Sequence, residues 1–217
     1  MPWPFSIRGS LITFEGGEGA GKSTQISKLC ERLVTTGKLS KTDVVSVREP
    51  GGTAMGEGIR QLLKRRDATI SAEAEALLFA ACRAQLVTEV IQPALKAGKI
   101  VICDRFADST VAYQQGGRGL SKESVHALNE LACQGAKPCL TFFLDLPAEA
   151  GLARASTRDG GTPDRLEALD LAFHQRVRAT YQLLAAAEPT RFVVLNAQLS
   201  PDTLAESIWH EITRRFS

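Results

Sequence analysis

Gly16-Gly17-Glu18-Gly19-Ala20-Gly21-Lys22-Ser23 matches the spacing G-x-x-x-x-G-K-[ST] at every fixed position. That spacing suits a phosphate cradle. Glycine lacks the Cβ that would stop successive backbone N–H groups from turning inward around phosphate oxygens. A strand-like run, Leu11–Glu15, precedes the loop, and a helical pattern, Lys22–Thr35, follows it. The positive end of that helix would point at the bound anion. Gly16, Gly17, Glu18, Gly19, Ala20, Gly21, Lys22, Ser23 and Thr24 therefore predict a nucleoside triphosphate site. Lys22 would reach the β- and γ-phosphates, and the Ser23 hydroxyl would bind Mg²⁺. The loop does not name the reaction.

Competing chemistries lack their residues. G-x-G-x-x-G fails, because its sixth position is Lys22 counted from Gly17 and Thr24 counted from Gly19. The Asn-Lys-x-Asp of guanine switches is missing, since neither Asn129 nor Asn196 is followed by lysine. Cys30, Cys82, Cys103, Cys133 and Cys139 form no C-x-x-C pair, and His126, His174 and His210 complete no metal spacing.

Several arginines suggest a second anionic substrate. Ile100–Cys103 reads as a buried strand that runs into Asp104 and Arg105. A strand-end Asp104 beside the phosphate loop suits the Mg²⁺ shell, and Arg105 suits a phosphate gripped by paired hydrogen bonds. The bland reading is a structural Asp-Arg pair. Arg48 stands before Glu49-Pro50-Gly51-Gly52-Thr53, a stiff turn at the strand edge where α/β sheets bind ligands. Phe79 and Arg83, spaced i, i+4, share one helix face and could stack on a base and bond its edge. Taken alone, such a pair is more often a core ring beside a surface cation. Thr110, Tyr113 and Gln114 add hydroxyls, a ring and an amide shortly after Arg105.

The elements that must position these groups alternate. Strand-like runs recur at Leu11–Glu15, Val44–Val47, Ile100–Cys103, Leu140–Leu144 and Phe192–Leu195. Helical spacing occupies Lys22–Thr35, Ala72–Leu95, Lys122–Cys133, Ala148–Thr157, Asp164–Ala187 and Pro201–Phe216. Alternation predicts right-handed βαβ units in one α/β domain spanning 1–217, with a five-stranded parallel sheet and helices on both faces. Arg158–Pro163 reads as a mobile loop. The longest apolar run, Ala76–Cys82, is too short for a membrane helix, and residues 1–10 carry no signal-peptide pattern. Lys+Arg 26 against Asp+Glu 24 leaves a net charge of +2, so no broad field points to nucleic acid or membrane. A cytoplasmic globular protein is the expectation.

Four motifs in order resemble the bacterial thymidylate kinases. They are Phe14-Glu15-Gly16 into the loop, Arg48-Glu49-Pro50-Gly51-Gly52-Thr53, Ala76-Leu77-Leu78-Phe79-Ala80-Ala81-x-Arg83, and Asp104-Arg105-Phe106 through Tyr113-Gln114. The resemblance implies a P-loop NTPase-type three-layer sandwich. It also implies transfer of the ATP γ-phosphoryl group to dTMP with Mg²⁺, in a homodimer. By the same resemblance Phe79 stacks on thymine, Arg83 meets its carbonyl edge, and Thr110 and Gln114 lie near the other polar edge. Tyr113 excludes a ribose 2′-hydroxyl, Glu18 lies near the sugar and acceptor phosphate, and Arg48 and Arg105 hold that phosphate. Lys22, Glu18, Arg105 and Arg158 are the expected catalytic groups, with Ser23 and Asp104 for the metal. Arg158 is chosen from a lid at about 154–165 that also carries Arg154 and Arg165. A kinase of another nucleotide and a nucleotide-switch ATPase are the rival readings.

Overall fold

Strands that are apolar on both faces need a helical layer on each side. In the computed structural model, which describes residues 7–36, 39–158 and 163–216, five parallel strands run in the order β2-β3-β1-β4-β5. They are β1 (Leu11–Glu15), β2 (Val44–Arg48), β3 (Ile100–Asp104), β4 (Leu140–Asp145) and β5 (Phe192–Asn196). The helices are α1 (Lys22–Thr35), α2 (Ala54–Lys64), α3 (Ala72–Leu86), α4 (Gln92–Lys96), α5 (Ala107–Thr110), α6 (Lys122–Cys133), α7 (Ala148–Arg158), α8 (Leu171–Ala187) and α9 (Pro201–Phe216).

Successive strand residues point to opposite faces, and both faces are filled. Ile12 and Phe14 of β1 pack with Leu29 and Leu33 of α1 and Ile208 and Ile212 of α9. Leu11 faces the other way, against Leu86, Val87 and Ile91. On that second face Phe143 of β4 packs with Phe173 and Tyr181 of α8. The expected three layers are therefore present. β3 and β4 flank β1 on opposite sides, with Phe14 in register with both Asp104 and Phe142. The chain thus changes direction at the carboxyl end of β1, where open α/β sheets form their ligand crevice.

Three expectations on element limits need correction. The helix expected from Asp164 begins only at Leu171. Asp170 caps it by accepting from the Phe173 N–H at 2.6 Å, while Asp164 Oδ1 bends the chain by accepting from the N–H groups of Leu166 and Glu167. The pattern over Ala72–Leu95 is interrupted by a π turn at Val87–Ile91, where the Gln92 N–H reaches back to the Val87 carbonyl just before Pro93. Helix α2 was not expected at all. Thr53 starts it by accepting from the Gly56 N–H at 3.0 Å.

Candidate active site

β1 delivers the chain to Gly16 at φ 140°, and Gly19 and Gly21 follow at 65° and 87°. These conformations suit glycine alone. A Cβ on Gly19 would also lie 2.2 Å from the Gly151 carbonyl oxygen, and one on Gly151 would lie 2.4 Å from the Glu18 carbonyl oxygen. The first turn of α7 is thus a second wall of the loop. Lys22 opens α1, and its Nζ donates to the carbonyls of Gly16 (3.1 Å) and Gly17 (3.0 Å). Burial, then the neighbouring Arg105, push the Lys22 pKa down. Ser23 Oγ donates to Asp104 Oδ2 at 3.0 Å, so the two oxygens expected around a metal lie side by side.

Arg105 is a rare non-glycine residue in the left-handed region, at φ 70°. Its guanidinium donates to the Gly16 carbonyl at 3.0 Å and to Glu18 Oε1 at 2.8 Å, and lies 4.9 Å from the centre of the Tyr113 ring. Tyr113 donates to the same Glu18 oxygen at 2.8 Å. Burial alone would raise the Glu18 pKa, but Arg105, Lys22 and the Tyr113 bond outweigh it and bring it to about 2. Behind this turn Glu15 accepts from the Phe106 N–H (2.7 Å), Ser109 (2.6 Å) and Tyr181 (2.8 Å). Burial and the nearby Asp108 raise the Glu15 pKa to about 7. Glu15 thus holds the backbone turn that aims Arg105, a role its motif position did not reveal.

Arg48 donates to both oxygens of Glu57, at 2.9 and 3.0 Å, and Glu57 also accepts from the Gly52 N–H at 2.9 Å. Arg60, one turn further along α2, donates to the Pro50 carbonyl at 2.8 Å and faces the same cavity. Neither Glu57 nor Arg60 stood out in the sequence. The only signal was Thr53, a helix-capping residue just after Pro-Gly-Gly.

Phe79 and Arg83 do share one face of α3, beside Thr110 and Gln114. Arg83 is 1% exposed, and its guanidinium makes four hydrogen bonds to protein acceptors. Nε donates to Glu49 (2.9 Å), Nη1 to Thr110 and Asn129 (2.8 Å each), and Nη2 to the Phe106 carbonyl (2.9 Å); Nη2 also lies 2.7 Å from Glu49 as an ion pair. Arg83 therefore braces the pocket wall and holds Thr110 in place.

A cavity of about 460 Å³ joins these groups. Its lining includes Glu18, Gly19, Ala20, Gly21, Lys22, Ser23, Thr24, Arg48, Phe79, Arg83, Asp104, Arg105, Thr110, Tyr113 and Gln114. Of the expected residues, Gly16 and Gly17 are not part of that lining; their carbonyls accept from Lys22 Nζ. Arg154 lines the cavity while donating to the Ala197 carbonyl at 2.9 Å. Arg165 is tied to the Leu63 carbonyl (2.9 Å) and paired with Glu75 (2.7 Å). Arg158 ends α7; its side chain and residues 159–162 of the expected lid lie outside the described residues.

A family model described as thymidylate kinase matches residues 14–208. The thymidylate kinase of Synechococcus sp. is 52% identical over 205 residues, covering 94% of this chain and 95% of that protein. That of Solidesulfovibrio magneticus is 50% identical, covering 92% of this chain and 96% of that protein. The crystal structure of the Ehrlichia chaffeensis thymidylate kinase superposes with a TM-score of 0.77 at 31% identity, covering 94% of this chain and 98% of that one. Fold, phosphate loop and relatives agree: the chain belongs to the thymidylate kinase family.

Proposed function

We propose that the chain transfers the γ-phosphoryl group of ATP to dTMP, giving dTDP and ADP. The observation that carries this reading is one cavity lined together by Lys22, Ser23 and Asp104, by Arg48 and Arg105, and by Phe79 and Gln114. Phosphoryl transfer needs positioning and charge neutralisation more than covalent help from the protein. Lys22 offsets charge on the donor phosphates, and Arg48 and Arg105 hold the acceptor phosphate. No strong base is needed, because the acceptor is already a phosphate oxygen. Glu18, kept ionised by Arg105 and Lys22, orients the sugar end of dTMP and fixes Arg105. Tyr113, bonded to Glu18, narrows the space beside the sugar against a 2′-hydroxyl. Phe79 stacks on thymine, with Arg83, Thr110 and Gln114 around its polar edges. Arg158 is assigned the transition-state contact to the transferring group.

The adjacent oxygens of Ser23 and Asp104 suit a hard cation such as Mg²⁺. When bound, that ion neutralises and orients the donor phosphates. The working molecule is a homodimer in the cytoplasm; among the described residues no helix is long and apolar enough to cross a membrane. The test is a coupled assay of ADP release with dTMP, dUMP, AMP and GMP supplied separately. Turnover that depends on dTMP is the expected result. Turnover on ATP alone at the same rate would instead favour a nucleotide switch.

A further inference from the structure

Gln114 lines the base end of the cavity and is nearly buried. Its side-chain amide can face the base in two ways, with opposite chemistry: the NH₂ end donates and the carbonyl end accepts. The residue that decides between them is Glu75. It lies on α3 one turn before Phe79 and two before Arg83, on the same face. Glu75 is fully buried and ionised: burial raises its pKa, but Arg118 and Arg165 lower it further still. An ionised carboxylate only accepts hydrogen bonds. Gln114 therefore turns its NH₂ inward, and Nε2 donates to Glu75 Oε1 at 3.1 Å. No bond within the described residues reaches Gln114 Oε1, which is left for the cavity.

We propose that Glu75 is a specificity-determining positioning residue, which fixes the Gln114 amide so that its carbonyl faces the base pocket and selects a pyrimidine bearing a proton on N3. The inference rests on the thymidylate reading above, which supplies the base. Thymine and uracil carry that N3–H between two carbonyls. Cytosine has a bare, accepting N3, which would meet the Gln114 carbonyl lone pair to lone pair. A site built around one hydrogen bond rejects the analogue that cannot make it, because its own polar group is then buried unpaired.

The surrounding cations make the device testable. Arg118 Nη2 (2.8 Å) and Arg165 Nη2 (2.7 Å) both converge on Glu75 Oε2, whereas Oε1 meets Arg118 Nε (3.0 Å) and Gln114. In Glu75→Gln the new carbonyl oxygen takes the Oε2 place, between two guanidinium groups. Its NH₂ then faces Gln114, which must turn over to accept and so presents a donor to the base.

The experiment measures kcat/KM of the unsubstituted chain and of Glu75→Gln for dTMP, dUMP and dCMP, with a thermal melt of each protein. The preference for dTMP over dCMP should fall by about tenfold or more in Glu75→Gln, and the dTMP to dUMP ratio should stay within about twofold, since those bases share the N3–H. Parallel losses on all three nucleotides would make Glu75 merely structural and overturn the proposal. Should Glu75→Gln not fold, Gln114→Met removes the same amide, and an unchanged dTMP to dCMP preference there overturns it equally. Absence of any dTMP-dependent turnover in the unsubstituted chain would overturn the thymidylate reading, and this inference with it.

Discussion

Residues that act through a ring or a titrating group make the sharpest tests. Phe79 projects from α3 into the cavity and is only partly buried. Phe79→Ala should weaken dTMP binding by about 1–3 kcal/mol, the usual scale of base–aromatic stacking, and leave ATP binding nearly unchanged. Calorimetric titrations of each nucleotide check this, and equal losses for both would return Phe79 to the core. Glu15 has the opposite character: it is fully enclosed, with a pKa raised to about 7. Between the ordinary carboxylate range and pH 7 the folded chain holds a proton there that the unfolded chain releases. Its contribution to stability is therefore full at low pH and declines as pH rises through about 7. Glu18, lowered to about 2, contributes in the other sense: its stabilisation is present at neutral pH and lost as pH falls toward 2. Urea midpoints for the native chain and Glu15→Gln from pH 5 to 8 should show the native chain losing ground to the variant as pH rises; a constant gap would mean that Glu15 titrates normally. The phosphate loop was fully legible in the sequence, because its glycines, Lys22 and Ser23 act at fixed spacing along one segment. Glu15 was not, because its partners Ser109 and Tyr181 are distant in sequence.

At the scale of elements, the site depends on how closely helices approach the loop. Alternating strands and helices were legible because periods of 2 and 3.6 survive in a single segment. Helix α2 and the wall formed by α7 were not legible, because nothing local marks which backbone another backbone will touch. Gly151 is the clearest case. Within α7 it is an unremarkable small residue, yet the Glu18 carbonyl oxygen stands where its Cβ would be. Gly151→Ala should force α7 and the loop apart. Displacing catalytic groups by about 1 Å costs roughly 10²-fold, and a loss of that order in kcat/KM for ATP is expected while far-UV circular dichroism is unchanged. Unaltered ATP kinetics would show that α7 can shift without disturbing the loop. Arg165 makes the same point from the other side. Read along the chain it is one lid arginine among three, and only the fold shows it committed to Glu75 and Leu63.

For the whole molecule, helix α3 has two functions on two faces. Phe79 and Arg83 look into the cavity, whereas Leu77, two residues before Phe79 and so about 200° around the helix, is 57% exposed. Leu131 on the adjoining α6 is 77% exposed, and Met55 and Leu62 on α2 are 47% and 40% exposed. Single exposed leucines are ordinary on a protein surface, but four large apolar side chains on three neighbouring helices suit an interface. A two-fold dimer formed through the Leu77 side of α3 would set the contact on the opposite side of that helix from Phe79. Sedimentation of the native chain at micromolar concentration should therefore give about twice the 23.4 kDa chain mass. Leu77→Glu with Leu131→Glu sets like charges across such an axis and should yield monomers. Because α3 carries Phe79 on its inner side, the monomeric variant should also bind dTMP less tightly than ATP loss alone would explain. A native chain that sediments as a monomer would remove the homodimer reading, and unchanged dTMP affinity in a monomeric variant would separate the interface from the base pocket.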